Sequence, residues 1–389
     1  MHYFCSGKKF VLQVVFFQMK KSLIALAFGT LGLGIAEFTM MGILPYVAAD
    51  LNISIPVAGH FISAYALGVC AGAPMLILAR KRPLKHILLA LMALMLVGNL
   101  GAAVAPDYWS LLAARFISGL PHGAYFGVAS IVAGKLADIM IAGMTVANLF
   151  GVPLGTSLSH MLSWRVTFLL VGCWGLIVLY YIWRWVPVVE GLKDTGFKGQ
   201  FRFLKTPAPW LILGATALGN GGVFCWYSYI TPLLTNVSGF SPESVTALMV
   251  LAGFGMVVGN LVSGRLSDKY TPGKVGMVVQ GMICIVLLML FFLSPNPWCS
   301  AILMALCTAG LFAVSSPEQV LIIRVAPGGE MLGGACVQMA FNLGNAIGAY
   351  VGGLALSGGY RYPALAGVPF ALTGFILFVI FYKKFQSKY

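Results

Sequence analysis

Charged residues are scarce in this sequence of 389 residues, and acidic residues are the scarcest. Asp, Glu, Lys and Arg together make up 9% of the chain, only ten residues are Asp or Glu, and 60% of residues are hydrophobic. A soluble globule needs more polar side chains than this to cover its surface. We therefore exclude a soluble fold and predict a polytopic membrane protein.

Three further absences exclude other classes of function. The eight cysteines lack the paired spacing of a zinc site or a disulfide framework. The 24 Lys and Arg residues, which give a net charge of +14, lie in short clusters between apolar runs, so nucleic-acid binding is not expected. No nucleophile and base set, phosphate loop or metal cluster is visible, which argues against an enzyme.

Twelve apolar runs are each long enough to cross a bilayer as a helix. We number these spans 1 to 12 in chain order: 22–48, 56–79, 87–105, 110–134, 139–159, 166–187, 208–231, 244–263, 275–293, 298–323, 331–356 and 363–382. Residues 1–18 precede them. Their apolar run is too short to span and has no cleavage site, so we interpret them as an N-terminal extension.

The positive charge indicates the topology. If the N-terminus is cytoplasmic, the segments on that side hold 20 of the 24 basic residues, so both termini are predicted to be inside. The longest polar stretch, 188–206, is predicted to be a cytoplasmic loop that joins two six-helix bundles, 19–187 and 207–389.

The two halves resemble each other in sequence. Equivalent positions are Leu31 and Leu218 in spans 1 and 7, Asn148 and Asn342 in spans 5 and 11, and Arg165 and Arg361 before spans 6 and 12. Such repeats are typical of transporters whose site lies between two halves that rock about it.

Glu37 lies near the middle of span 1. A charge at that depth costs roughly 3 kcal/mol or more, so intramembrane carboxylates usually face a cavity and titrate. The alternative is a carboxyl neutralised by a neighbouring helix, without a role in turnover.

Several motifs carry a family resemblance. They are Ala36 to Phe38 and Gly42 to Pro45 in span 1, Ala64 to Pro74 in span 2, Gly119 to Gly123 in span 4, Gly151 to Gly155 in span 5, Gly264 to Lys269 after span 8, and Phe341 to Asn345 in span 11. Together they resemble the major facilitator superfamily, and in particular its drug/proton antiporter branch.

The resemblance implies an all-α fold of twelve transmembrane helices in two pseudo-symmetric six-helix bundles. It implies proton-coupled efflux of a small organic solute, a sugar or a hydrophobic drug, across the bacterial inner membrane by alternating access. The solute, protons and lipid are the expected partners of a monomer, and no cofactor or metal is expected. An uncoupled facilitator stays open, as does a defective or non-transporting paralogue, which the short connection at 135–138 would favour.

The resemblance also assigns roles to individual residues. Arg115 would lie near the proton path and influence Glu37, unless it snorkels to the outer surface. His122 would relay protons or contact substrate, or else simply pack between helices. Gly151, Pro153 and Gly155 form the span 5 signature associated with export, where generic helix packing is the alternative. Three residues after span 8 are expected to latch neighbouring helices at the inner face: Gly264, Asp268 and Lys269.

Polar and aromatic residues at membrane depth are candidates for the substrate cavity. The amides are Asn220, Gln338, Asn342 and Asn345, and the aromatics are Phe38, Trp226 and Tyr229. The amides could instead hydrogen-bond between helices, and the aromatics could form an interfacial cluster. Glu318 in span 10 is a second candidate for titration, unless it reaches the cytoplasmic surface.

Overall fold

The computed structural model describes residues 3–79, 82–133, 147–189, 201–327 and 329–385, which contain helices, turns and loops but no strands. The connection at 135–138 and residues 190–200 of the predicted central loop lie outside the described residues. So do the side chains of residues 3–20 and of Asn148.

The helices follow the predicted spans. In order they are Tyr3–Asp50, Ile55–Ala58 with His60–Ala79, Leu84–Ala103, Tyr108–Ala133, Val152–Met161, Trp164–Trp185, Pro207–Tyr227 with Ile230–Asn236, Ser244–Lys269, Pro272–Leu293, Pro297–Val325, Glu330–Ala355 and Tyr362–Phe385. Ten described helices are long and apolar enough to cross a membrane. Of the other two spans, span 4 is made more polar by Arg115 and His122, and span 5 is described only from Ala147.

Span 1 belongs to a helix that is much longer than a membrane crossing requires. It runs for 48 residues, Tyr3–Asp50, so the backbone of the N-terminal extension continues into span 1 without a break. The part with the length and composition of a membrane span begins at Lys21. We call the side on which span 1 ends, at Asp50, the outer side, in keeping with the predicted orientation.

Span 4 begins with reciprocal hydrogen bonds between two side chains and the backbone. The N–H of Ser110 donates to Oδ1 of Asp107 at 2.9 Å, and the N–H of Asp107 donates to the Ser110 hydroxyl at 3.2 Å. The bond from the Ser110 N–H holds the pKa of Asp107 below its ordinary value. This cap fixes the start of the helix that carries Arg115 and His122.

Small residues let span 2 lie directly against span 4. A Cβ added at Gly68 would clash with the carbonyl oxygen of Phe116, and one added at Gly72 would clash with that of Leu120. The backbones therefore meet without intervening side chains, which is the close packing that glycines permit in membranes.

The same contact recurs between spans 8 and 10. Added Cβ atoms at Gly255 and Gly259 would clash with the carbonyl oxygens of Ala305 and Ala309. These glycines lie 187 residues after Gly68 and Gly72, which is the offset of the repeat between spans 1 and 7. The internal repeat thus extends from sequence to packing.

The hydrophobic core shows how the two halves meet. One cluster contains residues of both halves, such as Phe38, Val47, Phe224 and Leu234, and occupies the outer part of the molecule. Two other clusters lie towards the inner side, one built only from residues before Val189 and one only from residues after Phe201. The bundles are joined on the outer side, and their inner cores are separate.

Hydrogen bonds also join the halves on the outer side. The Thr231 hydroxyl of span 7 donates to the carbonyl of Met41 in span 1 at 3.0 Å. The Ser63 hydroxyl of span 2 donates to the carbonyl of Ala346 in span 11, also at 3.0 Å. In the predicted orientation this is a conformation closed to the outside.

Candidate functional site

Glu37 lies where the two halves meet. Its side chain is only 3% exposed, and Oε1 accepts a hydrogen bond of 2.9 Å from Nδ2 of Asn345 in span 11, which is itself 1% exposed. Burial from water strengthens such a bond to a carboxylate. A titratable group of the N-terminal bundle is therefore hydrogen-bonded directly to the C-terminal bundle.

The second oxygen of Glu37 faces His122 of span 4. Oε2 is 3.6 Å from Nδ1 of the imidazole, which is fully buried. The Tyr65 hydroxyl of span 2 lies 2.9 Å from the same nitrogen and donates to the carbonyl of Leu33 at 3.2 Å. Because the Tyr65 hydroxyl donates its hydrogen to the Leu33 carbonyl, its oxygen accepts from an N–H at Nδ1 of His122. A neutral His122 therefore carries its hydrogen on Nδ1.

Arg115 is buried beside this group and does not reach the outer surface. Its Nη1 donates to the carbonyl of Ala36 at 2.8 Å, and Nε donates to that of Phe61 at 3.4 Å. The guanidinium carbon is 4.4 Å from the centroid of the Tyr65 ring, a cation–π distance. Its positive charge interacts with the Glu37 carboxyl through space.

The predicted aromatic residues lie in the closed outer core. The Phe38 ring is 6.1 Å from Phe224 and 5.9 Å from Phe312, centroid to centroid. Trp226 is buried, and Tyr229 is buried with its hydroxyl donating to the carbonyl of Ala349 at 2.6 Å. In this conformation they close the outer side, and a role in lining a cavity stays a prediction.

Two of the four predicted amides bond to their own helices. Nδ2 of Asn220 donates to the carbonyl of Thr216 at 2.8 Å, and Nδ2 of Asn342 donates to that of Gln338 at 3.1 Å. The Gln338 side chain is half-buried. Asn345 differs from them because its amide crosses to the other bundle.

The span 5 signature brings this helix close to span 1. A π-helical turn, Ala147–Gly151, precedes the α-helix that begins at Val152 and has Pro153 in its first turn. A Cβ at Gly155 would lie 2.8 Å from Cγ2 of Thr39 and 2.9 Å from Cγ2 of Thr167. The glycine thus permits a contact that a larger residue would block.

The predicted inner latch lies away from this site. Gly264 has open space around its α-carbon, and Asp268 and Lys269 are exposed at the inner end of span 8. Lys269 lies over the Tyr270 ring, with Nζ 5.4 Å from the centroid. Within the described part of the chain Asp268 makes no ion pair, and the latch stays a prediction.

Comparison with known proteins identifies the family. The family model for the Major Facilitator Superfamily matches residues 26–333. AraJ of Escherichia coli (strain K12) is 47% identical over 383 residues, which covers 95% of this chain and 97% of AraJ. The chain belongs to the major facilitator superfamily. This major facilitator is a multi-pass membrane transporter and not an enzyme.

Two more distant relatives of this major facilitator have names that state a function. A "Probable sugar efflux transporter" of Helicobacter acinonychis (strain Sheeba) is 27% identical, with 98% of each chain covered. A "Chloramphenicol resistance protein" of Streptomyces lividans is 28% identical, with 86% of this chain and 88% of the relative covered.

A solved structure shares the fold. The bacterial homologue of the lysosomal transporter Spinster, crystallised inward-facing and unoccupied, has a TM-score of 0.74 at 16% identity. The alignment covers 95% of this major facilitator and 98% of that chain. The predicted twelve-span, all-α fold of two bundles is confirmed.

The sequence analysis missed Tyr65 as a member of the site. Tyr65 lies in the motif of span 2 that supports the family resemblance, but its spacing alone gives no role. The structure places it against both Arg115 and His122. The available signal was a tyrosine at membrane depth, shortly before the close-packing glycines of span 2.

Among the described residues, no group of three metal-ligating side chains occurs.

Proposed function

We propose that this protein exports a small organic solute, a sugar or a hydrophobic drug, in exchange for protons that enter the cell. The observation that carries the proposal is the hydrogen bond from Asn345 to Glu37, which joins the two bundles at a buried carboxyl. The names of two relatives support the two solute classes.

Glu37 takes up the proton when the outer sides of the bundles are apart. Asn345 belongs to the other bundle and moves away from Glu37 in that conformation, so the carboxylate loses a donor and protonation becomes more favourable. Neutralising the charge lowers the free energy of burying Glu37 when the outer side closes. The protonated carboxyl therefore favours closure.

Proton release follows closure. The proton is displaced when solute binds from the cytoplasm, while the hydrogen bond from Asn345 and the nearby charge of Arg115 offset part of the cost of burying the carboxylate. The proton leaves towards the inner side, and His122, whose Nδ1 lies 3.6 Å from Oε2, lines the start of its path. Solute binding from the cytoplasm then drives the return.

We also propose how the two bundles move and how the protein lies in the membrane. The bundles 19–187 and 207–389 rock about the site as two units joined by the cytoplasmic segment 188–206, in a monomer of the bacterial inner membrane with both termini inside. The span 5 turn at Gly151 and Pro153 accommodates the motion, and the segment from Gly264 to Lys269 latches the inner side when it closes.

The test uses inverted membrane vesicles energised by respiration, whose lumen is acidic. Sugars and drugs, chloramphenicol among them, are added outside while lumenal pH is recorded. We expect at least one compound to raise lumenal pH with wild type and not with Glu37→Gln. Glu37→Gln should still catalyse downhill exchange of that compound, which shows that the variant folds and binds.

An uncoupled facilitator is the second candidate, because Glu37 could also hydrogen-bond a hydroxylated solute. In that case wild type would move solute without changing lumenal pH, and Glu37→Gln would lose downhill exchange as well. The two outcomes separate coupling from binding.

A further inference from the structure

Glu318 is a second buried carboxyl, and the proposed cycle does not use it. It lies in span 10 directly after Pro317, and its side chain is fully buried. Neither carboxyl oxygen has a hydrogen-bond partner among the residues that the structure describes. The side chain thus lies inside the C-terminal half and does not reach the cytoplasmic surface.

Two side chains of span 7 are the polar neighbours of Glu318. Thr216 and Asn220 of span 7 lie beside the carboxyl. The Thr216 hydroxyl donates to the carbonyl of Ile212 at 2.9 Å, and Nδ2 of Asn220 donates to that of Thr216 at 2.8 Å. Asn220 keeps one further Nδ2 hydrogen, and its Oδ1 has no partner in the described chain.

The orientation of the Asn220 amide is set by its own helix. If the amide were flipped, Oδ1 would face the carbonyl oxygen of Thr216, and two acceptors would be in contact. The bonds within span 7 leave the second Nδ2 hydrogen of Asn220, and neither oxygen of Glu318 makes a hydrogen bond with a donor in the described chain.

No cation compensates a negative charge here. Across the described residues, the charged side chains of the neighbouring spans lie exposed at the inner helix ends: Arg265, Asp268 and Lys269 of span 8 and Lys274 of span 9. Arg324, in the same helix as Glu318, is also exposed. Glu37 differs in both respects, since it has a donor in Asn345 and a buried cation in Arg115.

We propose that Glu318 is a second, exchangeable proton site, in the C-terminal half, which holds its proton in the conformation in which Glu37 is ionised. Uptake of one proton forms an O–H bond, which removes the uncompensated negative charge and can donate to Oδ1 of Asn220 or to the Thr216 oxygen. The proposal deepens the proposed proton exchange and rests on it: each bundle then carries one titrating carboxyl, in opposite protonation states.

Infrared spectroscopy of the purified protein at neutral pH, without any solute, tests this. A carboxylic-acid C=O band is expected in wild type, retained in Glu37→Gln and absent from Glu318→Gln. The band is expected to shift in D2O, because the proton is exchangeable. The amide of Gln can donate to Asn220 as the protonated carboxyl does, so this variant is expected to fold.

Asn220→Leu gives an independent readout that leaves Glu318 in place. Loss of the acceptor is expected to move the band to higher frequency, and this holds even if Glu318→Gln fails to fold. The proposal would be overturned by a carboxylic-acid band that persists unchanged in Glu318→Gln or that does not respond to D2O. Loss of a carboxylate band in Glu318→Gln, instead of the carboxylic-acid band, would also overturn it.

The result is independent of the transport assay. A band lost with Glu318, together with no solute-dependent proton flux in wild-type vesicles, would contradict the proposed function and leave the proton site standing. Flux without such a band would contradict only the second site.

Discussion

At the residue scale, the Glu37 carboxyl is surrounded by groups from three other spans. Asn345 of span 11 donates to it, while Arg115 and His122 of span 4 and Tyr65 of span 2 surround it. Arg115 binds the carbonyl of Ala36, the residue before Glu37, so the cation is fixed to the backbone of span 1. A buried charge with a fixed partner can change protonation state without disordering the helices around it.

Asn345→Leu is expected to weaken coupling strongly. The substitution removes a bond to a charged acceptor, worth about 1.5–3 kcal/mol in general, so solute-dependent proton flux should fall roughly ten-fold or more. Proton flux in vesicles is the measurement. Asn99→Leu is the matched control, since Asn99 is also buried but its Nδ2 donates at 2.8 Å to Met95 of its own helix. Equal losses in the two variants would contradict a specific role for Asn345.

Tyr65→Phe should have a smaller effect. It removes the hydroxyl contacts to His122 and Leu33 but keeps the ring beneath Arg115. We expect a loss of about 0.5–1.5 kcal/mol in the free energy of unfolding, with proton flux reduced a few-fold. Thermal unfolding of the purified protein and the vesicle assay measure the two effects. Tyr65→Leu, which also removes the ring, should be clearly worse, and an equal effect would argue against the contact with Arg115.

The sequence predicted part of this cluster for a physical reason. A carboxylate or a guanidinium at membrane depth is so costly that Glu37 and Arg115 stand out without a structure. The pairing with Asn345 could not be predicted, because 308 residues separate the two positions and several amides were equally placed. Only the packing of span 11 against the N-terminal half distinguishes Asn345 from Asn342 and Asn220, which bond to their own helices.

At the scale of elements, pairs of glycines determine how the helices of each half approach one another. Gly68 and Gly72 in one half, and Gly255 and Gly259 in the other, bring two helix backbones into contact. Sequence alone leaves such glycines indistinguishable from generic packing residues, because the partner helix is not visible in a local pattern. Span boundaries were predictable because bilayer thickness fixes the length of each apolar run.

Gly72→Ala is expected to destabilise the fold. The new Cβ would clash with the backbone of Leu120, and such overpacking generally costs about 1–3 kcal/mol. Gly259→Ala should behave alike, because Ala309 occupies the equivalent position. Thermal unfolding in detergent is the measurement. In the control Gly101→Ala, the new Cβ would lie 3.5 Å from Cβ of Ala114, an ordinary contact, so a matching loss there would refute the argument.

At the scale of the whole molecule, the structure corresponds to one state of the proposed two-state cycle. The outer core joins the halves, and the inner cores stay separate. Sequence predicts the two bundles through their repeat but not which side is closed, because both states use the same helices with different contacts between the bundles.

Linking the halves at the outer side should stop transport. The His60 ring of span 2 is stacked on Tyr350 of span 11, with centroids 6.3 Å apart. In a variant without native cysteines, His60→Cys with Tyr350→Cys, joined by a short cleavable cross-linker, should lose solute exchange and regain it on cleavage. His60→Cys with Tyr108→Cys is the control within one half, since His60 also contacts Tyr108 at 2.8 Å. Undiminished exchange in the first pair would rule out rocking at this interface.

The most direct test of solute and proton exchange uses purified protein in liposomes. A solute from the vesicle screen is loaded inside, the membrane potential is clamped at zero, and lumenal pH is followed as the solute leaves. We predict that the lumen acidifies with wild type and not with Glu37→Gln. Solute efflux from wild-type liposomes without any change in lumenal pH would contradict the account.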